Sequence, residues 1–159
     1  MSGKLRVCFI GCGEFAANFV PLFKAHPLVD KVYVCDLLRE RAEKYSAKFG
    51  VEIIDSFEEA LKSPAVNAVA IFAQRHLHGP LVKRALLSGK HVYSEKPLGA
   101  SLEEGKELVR IAGEKGLMLG GAPDTFLGAG IQTARRLIDA GFIGNVVGTA
   151  AFMICRGHE

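Results

Sequence analysis

The sequence carries little net charge and no block of either sign. Its 20 Lys and Arg against 17 Asp and Glu leave a formal charge of +3 over 159 residues. No basic run and no basic patch interleaved with aromatics occurs, so nucleic-acid binding has no electrostatic support. Long hydrophobic runs are missing too: no stretch approaches the roughly 20 apolar residues that cross a bilayer. The apolar run Val7-Cys8-Phe9-Ile10 behind Lys4 and Arg6 stops at glycine. It is too short for a signal-peptide core and reads as a first strand. There are only four cysteines, Cys8, Cys12, Cys35 and Cys155, with no Cys-x-x-Cys pair and no suitably spaced histidine. That pattern argues against a metal or redox centre, and no metal is expected. Small buried thiols in a reducing compartment fit better, and the cytoplasm is the default address.

What is present is ordinary globular composition, 49% hydrophobic and 23% charged, enough for one complete domain with a sizeable core. Strand-like and helix-like segments alternate. Apolar runs at 7–10, 32–35, 66–72, 91–94 and 117–122, with a shorter one at 52–54, have the continuous character of strands buried on both faces. Between them, apolar residues recur at helical spacing: Phe15, Phe19 and Phe23; Leu38, Ala42, Tyr45 and Phe49; Leu77, Leu81 and Ala85. Pro21 should kink or shorten the first of these helices. Ser56 and Ser101, each followed three residues later by Glu59 or Glu104, have capping-box spacing. Ile131, Ala134, Leu137 and Ile138 line a last helix before Gly141. Strand then helix, about six times over, predicts a doubly wound parallel sheet with helices on both faces, a Rossmann fold. Residues 1–143 are expected to form that domain. The run 146–152 then reads as one more strand, with residues 144–159 the start of a truncated second domain.

The chemistry is concentrated at two places. Gly11-Cys12-Gly13-Glu14-Phe15-Ala16 matches G-x-G-x-x-A directly after the first strand, where a dinucleotide fingerprint must sit. Gly11 allows the tight turn, Gly13 lets the backbone approach a pyrophosphate, and Ala16 lets helix and strand pack closely. Asp36 ends the second strand, about 20 residues on. There a carboxylate accepts both adenosine-ribose hydroxyls and repels a 2′-phosphate, favouring NAD over NADP. Arg39 and Arg41 lie near enough to soften that choice. The competing reading is a plain glycine turn and a solvated acid at a strand end.

The second place is Ser94-Glu95-Lys96-Pro97 after the fifth strand. Carboxyl ends of strands form the ligand crevice of such a sheet, so Lys96 should point toward the nicotinamide end. A lysine there donates to a substrate oxygen and stabilises alkoxide character during hydride transfer. Pro97 fixes the backbone after it, with a cis peptide one option. A surface lysine ahead of a helix-starting proline stays open as the alternative.

The run Gly89-Lys90-His91-Val92-Tyr93-Ser94-Glu95-Lys96-Pro97-Leu98, together with the glycine turn, Asp36, and His78 seven residues before Ala85, resembles the glucose–fructose oxidoreductase/inositol dehydrogenase (Gfo/Idh/MocA) family. The resemblance spans about residues 4–158. It implies an N-terminal NAD-binding Rossmann domain followed by a second α/β domain, apparently missing here, that covers the substrate and mediates homo-oligomerisation. It implies a small-molecule sugar or polyol substrate, oxidised at a secondary alcohol or reduced at a ketone, with Lys96 catalytic. Ala73, Gln74, His78, Glu95, Lys96 and Pro97 are implied to line the cofactor, with capping or packing of its own helix the alternative for His78. Asp124 and Thr125 lie in a loop the resemblance places near substrate, although a plain turn fits them as well. His158 has a counterpart that approaches substrate. The family's Asp and His partners for the lysine fall in the second domain, so these residues alone are expected to bind cofactor and turn over slowly or not at all. A non-catalytic NAD(H)-binding sensor or regulatory module is the other class of function, and Lys96 is the feature against it.

Overall fold

In the computed structural model, which describes residues 3–123, 125–152 and 154, the apolar runs become strands β1 (Leu5–Ile10), β2 (Val29–Cys35), β3 (Glu52–Ile53), β4 (Ala68–Ile71), β5 (His91–Ser94) and β6 (Leu119–Gly121). They pair in the order β3-β2-β1-β4-β5-β6, every neighbour parallel. This is the doubly wound arrangement expected of the sequence. Strand order reverses between β1 and β4, and in such sheets the crevice beyond that reversal is where ligands sit. The connecting helices are α1 (Phe19–Ala25), α2 (Arg39–Phe49), α3 (Phe57–Lys62), α4 (His78–Leu87) and α5 (Leu102–Glu114), and α6 (Ala129–Asp139) follows β6 in the chain. No helix among the described residues is long and apolar enough to cross a membrane.

Alternation along each strand builds two cores. Val7 and Phe9 of β1 with Val32 and Val34 of β2 meet Val20, Ala42 and Tyr45 from α1 and α2. Cys8 and Ile10, pointing the other way, join Val69 and Ile71 of β4 and meet Leu61, Val82, Leu86, Leu108 and Ile111 from α3, α4 and α5. All four residues of β4 are buried, as a central strand covered on both faces requires. The α1 side also carries a ring cluster, in which Phe72 stacks on Phe9 at 5.3 Å and packs against Phe19 at 5.0 Å. Beside it lies an open apolar groove of about 460 Å³, lined by Leu5, Phe23, Tyr93, Met118 and Leu119 among others.

Local signals account for most boundaries. Ser56 Oγ accepts from Glu59 N and Ser101 Oγ from Glu104 N, each at 3.1 Å, so both expected caps form. Gly50 ends α2 in the left-handed region at φ 60°. Pro21 acts as expected. Having no N–H to offer the carbonyl four residues back, it delays the α-helical pattern to Phe19, and the preceding turn, Ala16–Asn18, is a 3-10 helix.

The chain divides into two units, Met1–Pro123 and Asp124–Glu159. In the second, α6 has the expected periodicity, yet Ile131, Leu137 and Ile138 stay exposed. The strand expected at 146–152 does not form: none of these residues is in a strand, and Val147 and Phe152 are largely exposed. A strand is defined by a partner's hydrogen bonds. An apolar run that meets no neighbouring strand stays irregular, whatever its propensity.

Candidate dinucleotide site

Register gathers the sequence-distant residues. Ile10 pairs with Cys35 and with Ile71, Ile71 pairs with Ser94, and Ser94 with Gly121. The strands therefore end in one row, and the residues that follow leave the same edge of the sheet: Gly11, Asp36, Phe72 and Glu95.

The turn after β1 is built by contacts that only glycine permits. Gly11 has φ +103°, and a Cβ there would lie 2.8 Å from the Phe72 carbonyl oxygen. Ala16 is buried against the sheet. Gly13 is different, because a Cβ there would meet nothing within 4 Å. Its missing side chain leaves bare backbone beside open space, which is the shape a pyrophosphate needs. Among the described residues the N–H groups of Gly13, Glu14 and Phe15 have no acceptor within the chain. Unpartnered donors around a glycine are an anion cradle. The side chains of Glu14 and Phe15 are exposed.

Asp36 closes this turn from the β2 side. Its Oδ2 accepts the Cys12 N–H at 2.7 Å and its Oδ1 accepts the Leu38 N–H at 2.8 Å. Each carboxylate oxygen keeps a lone pair for a further donor, so the carboxylate is aimed and not consumed. Arg39, also expected near the adenosine end, has its guanidinium paired with Glu43 at 3.1 Å and with Asp55. Both partners lie on the protein surface. The Cys12 thiol is pushed up to about 12 by burial first, then by the Asp36 carboxylate and Cys35; Arg41 pulls the other way.

Two loops face the turn across the order reversal. The first follows β4, where Phe72 N donates to Ile10 O at 2.8 Å. Gln74 O accepts from Leu77 N at 2.8 Å, starting the 3-10 turn that leads into α4. The second follows β5. Glu95 N donates to Ile71 O at 3.0 Å, Glu95 Oε2 accepts from Lys96 N at 3.0 Å, and the Lys96–Pro97 peptide is cis. The Lys96 side chain is exposed and, among the described residues, has no ion-pair partner. His78 is buried, its Nδ1 2.8 Å from Pro97 O and its Nε2 2.9 Å from Ala73 O. Thr125 opens a 3-10 turn in the second unit. Asp124 and His158 lie outside the described residues.

Two contributors escaped the sequence. Tyr45, legible only as one apolar position on α2, donates its hydroxyl to the Gly13 carbonyl. Burial first, then Cys12 and Asp36, pushes its phenol up to about 12. Lys90 is buried, and its ammonium donates to Ser63 O at 2.8 Å and Val66 O at 2.6 Å, tying the start of β5 to the end of α3. No local pattern announces these contacts, since each partner is a backbone carbonyl distant in the chain. Glu104, which the sequence marks for a capping box, reaches one residue beyond the cap and accepts from Ala100 N at 2.6 Å.

A 3-2-1-4-5-6 parallel sheet with an open glycine turn and an acid at the end of its second strand defines a dinucleotide-binding protein. Residues 5–121 match the model of the oxidoreductase family GFO_IDH_MocA, NAD-binding Rossmann fold, and the chain belongs to that family. It is 35% identical over 144 residues to a dTDP-3,4-didehydro-2,6-dideoxy-alpha-D-glucose 3-reductase of Streptomyces violaceoruber, covering 89% of this chain and 42% of that protein. It is 30% identical over 149 residues to the scyllo-inositol 2-dehydrogenase (NAD(+)) of Bacillus subtilis, covering 92% and 44%. Among solved structures, a 3-ketoreductase from Actinomadura kijaniata in complex with TDP-benzene and NADP matches with a TM-score of 0.80 at 28% identity, over 87% of this chain and 44% of that one. The chain thus spans less than half the length of these relatives.

Proposed function

We propose that this chain is the cofactor-binding domain of an NAD-dependent oxidoreductase acting on a secondary alcohol or ketone of a sugar, inositol or related polyol. The observation that carries the proposal is the geometry around Gly13: open space, unpartnered backbone N–H groups, and the aimed carboxylate of Asp36 beside them. The N–H groups of the turn hold the pyrophosphate. Asp36 accepts the adenosine-ribose hydroxyls and repels a 2′-phosphate, which favours NAD. A bound nicotinamide supplies the hydride acceptor or donor. Lys96, on the loop after β5, donates to the substrate oxygen and stabilises the alkoxide character that develops there. Residues 1–143 form the working domain in this reading, residues 144–159 begin the next, and Thr125 stands at the substrate end.

The relatives support the substrate class by their names, two of them acting on a deoxyhexose nucleotide and an inositol. They differ over cofactor, one being an NAD(+) enzyme and another seen with NADP, and in this reading the preference for NAD rests on Asp36. Calorimetric titration with NADH and NADPH tests the reading. NADH binding with NADPH at least 10-fold weaker is expected. No heat from either nucleotide with well-folded protein overturns it.

A further inference from the structure

Two loops bound the crevice, and each is backbone at the point where it matters. The loop after β4 presses Phe72 O against Gly11, so its position bears on the glycine turn. The loop after β5 carries Lys96. One side chain spans them: the His78 ring has Nε2 2.9 Å from Ala73 O and Nδ1 2.8 Å from Pro97 O. His78 is 2% exposed, so the ring itself is out of water. His78 is the first residue of α4, whose Val82, Ala85 and Leu86 are locked in the core under the sheet. The ring is therefore mounted on a rigid element and reaches both loops.

We propose that His78 is a positioning residue: with an N–H on each ring nitrogen it donates to both carbonyls, a two-ended tie that sets the spacing between the loop beside the glycine turn and the loop that carries Lys96, whereas a ring with a single N–H holds only one of them. The same helix turn braces the second loop again. Ala100 N is held by Glu104 Oε2 at 2.6 Å, and that carboxylate lies against Gly79 and Gly99, where a Cβ on either glycine would collide with it. The segment after Lys96 is thus gripped at Pro97 by α4 and at Ala100 by α5, while the lysine side chain stays exposed. A lysine that must meet a substrate oxygen within hydrogen-bond distance needs such a mount, because a misplacement of 1 Å can cost about 10²-fold in rate. This role rests on the oxidoreductase reading for its purpose, but the tie is a property of the free chain.

Amides of different length separate the two ends. Asn at 78 places a polar atom where Nδ1 stands, and Gln places one where Nε2 stands. Amide hydrogen exchange followed by NMR on the whole chain, without ligand, reads each loop: Leu77 N, bonded to Gln74 O, for the first, and Ala100 N for the second. His78→Leu is expected to speed exchange at both by about 5-fold or more, the loss of one hydrogen bond each. His78→Asn should restore Ala100 alone, and His78→Gln Leu77 alone. Equal behaviour of all three variants, or one amide restoring both sites, overturns the tie and leaves His78 a packing residue. If His78→Leu does not fold, the Asn and Gln variants still give the split. An NADH titration of the unaltered chain runs alongside. A flat trace there defeats the dinucleotide reading while the exchange pattern, which needs no nucleotide, judges His78 separately.

Discussion

The carboxylate of Asp36 holds the Cys12 N–H at 2.7 Å, so the acid at the end of β2 and the turn at the end of β1 are one unit before any nucleotide arrives. The same carboxylate holds Leu38 N–H at 2.8 Å. An acid tied at both oxygens by backbone donors cannot swing away, and what it offers a ribose is preorganised. In the proposed reading Asp36 is a structural and a recognition residue together, and its substitution should show both effects.

Asp36→Ala is expected to weaken NADH binding by roughly 10-fold or more, the loss of charge-assisted hydrogen bonds worth about 1.5–3 kcal/mol. NADPH should lose less, or gain, because a repelling charge is gone. Paired calorimetric titrations measure the ratio. An unchanged preference between the two nucleotides would remove Asp36 from the discrimination.

Gly11→Ala combines a left-handed backbone with a contact of 2.8 Å to the Phe72 carbonyl oxygen. Neither is relieved by moving a side chain, since the obstacle is the main chain of the neighbouring loop. A loss of about 2–4 kcal/mol follows, read as a fall in melting temperature. Gly13→Ala has open space and should fold nearly as well while binding NADH far more weakly. Stability and affinity thus separate between two glycines that are two residues apart.

Tyr45→Phe removes the hydroxyl that the Gly13 carbonyl accepts and leaves the ring in the core. About 1 kcal/mol of stability should go, with NADH affinity falling by a few-fold as the turn loosens. Chemical denaturation and the same titration check both numbers. Full affinity in the variant would mean that the turn holds its shape without α2.

Cys12 and Cys35 set an alkaline limit. Their thiols are raised from an ordinary 9.0 to about 12 and about 11, chiefly by burial and then by Asp36. A thiol that ionises near 9 when unfolded but only above 11 when folded favours the unfolded state as pH climbs between those values. Stability attributable to these groups is complete below pH 9 and lost progressively toward 12. Melting curves from pH 7 to 11 should be level and then fall, and Cys12→Ala should flatten part of the fall. At pH 8, alkylation mapped by mass spectrometry should spare Cys8, Cys12 and Cys35 in the native chain, all three being buried.

Lys96→Ala is expected to leave NADH affinity within about 3-fold, because the side chain lies exposed on the loop after β5. In a longer version that carries the second domain, turnover of a sugar or polyol substrate should fall by about 10²-fold or more. Comparable losses in both would make it a cofactor ligand and not a donor to substrate.

Short-range patterns in the chain were enough to specify the six strands, the caps at Ser56 and Ser101, the stop at Gly50 and the interruption before Pro21. Each rests on a residue's own backbone preference or on a neighbour three or four positions away. The turn at Gly11 and Gly13 and the acid at Asp36 were legible for the same reason, since their spacing follows from one strand, one turn and one helix. Long-range packing alone decided the rest. That Tyr45 would reach the Gly13 carbonyl, that Lys90 would bury its ammonium on two carbonyls, and that His78 would join Ala73 to Pro97 depend on the angle at which helices settle on the sheet. The run 146–152 shows the converse. Strand propensity is carried by the residues, but a strand exists only where another chain segment presents its hydrogen-bonding edge, and only the folded structure says whether one does.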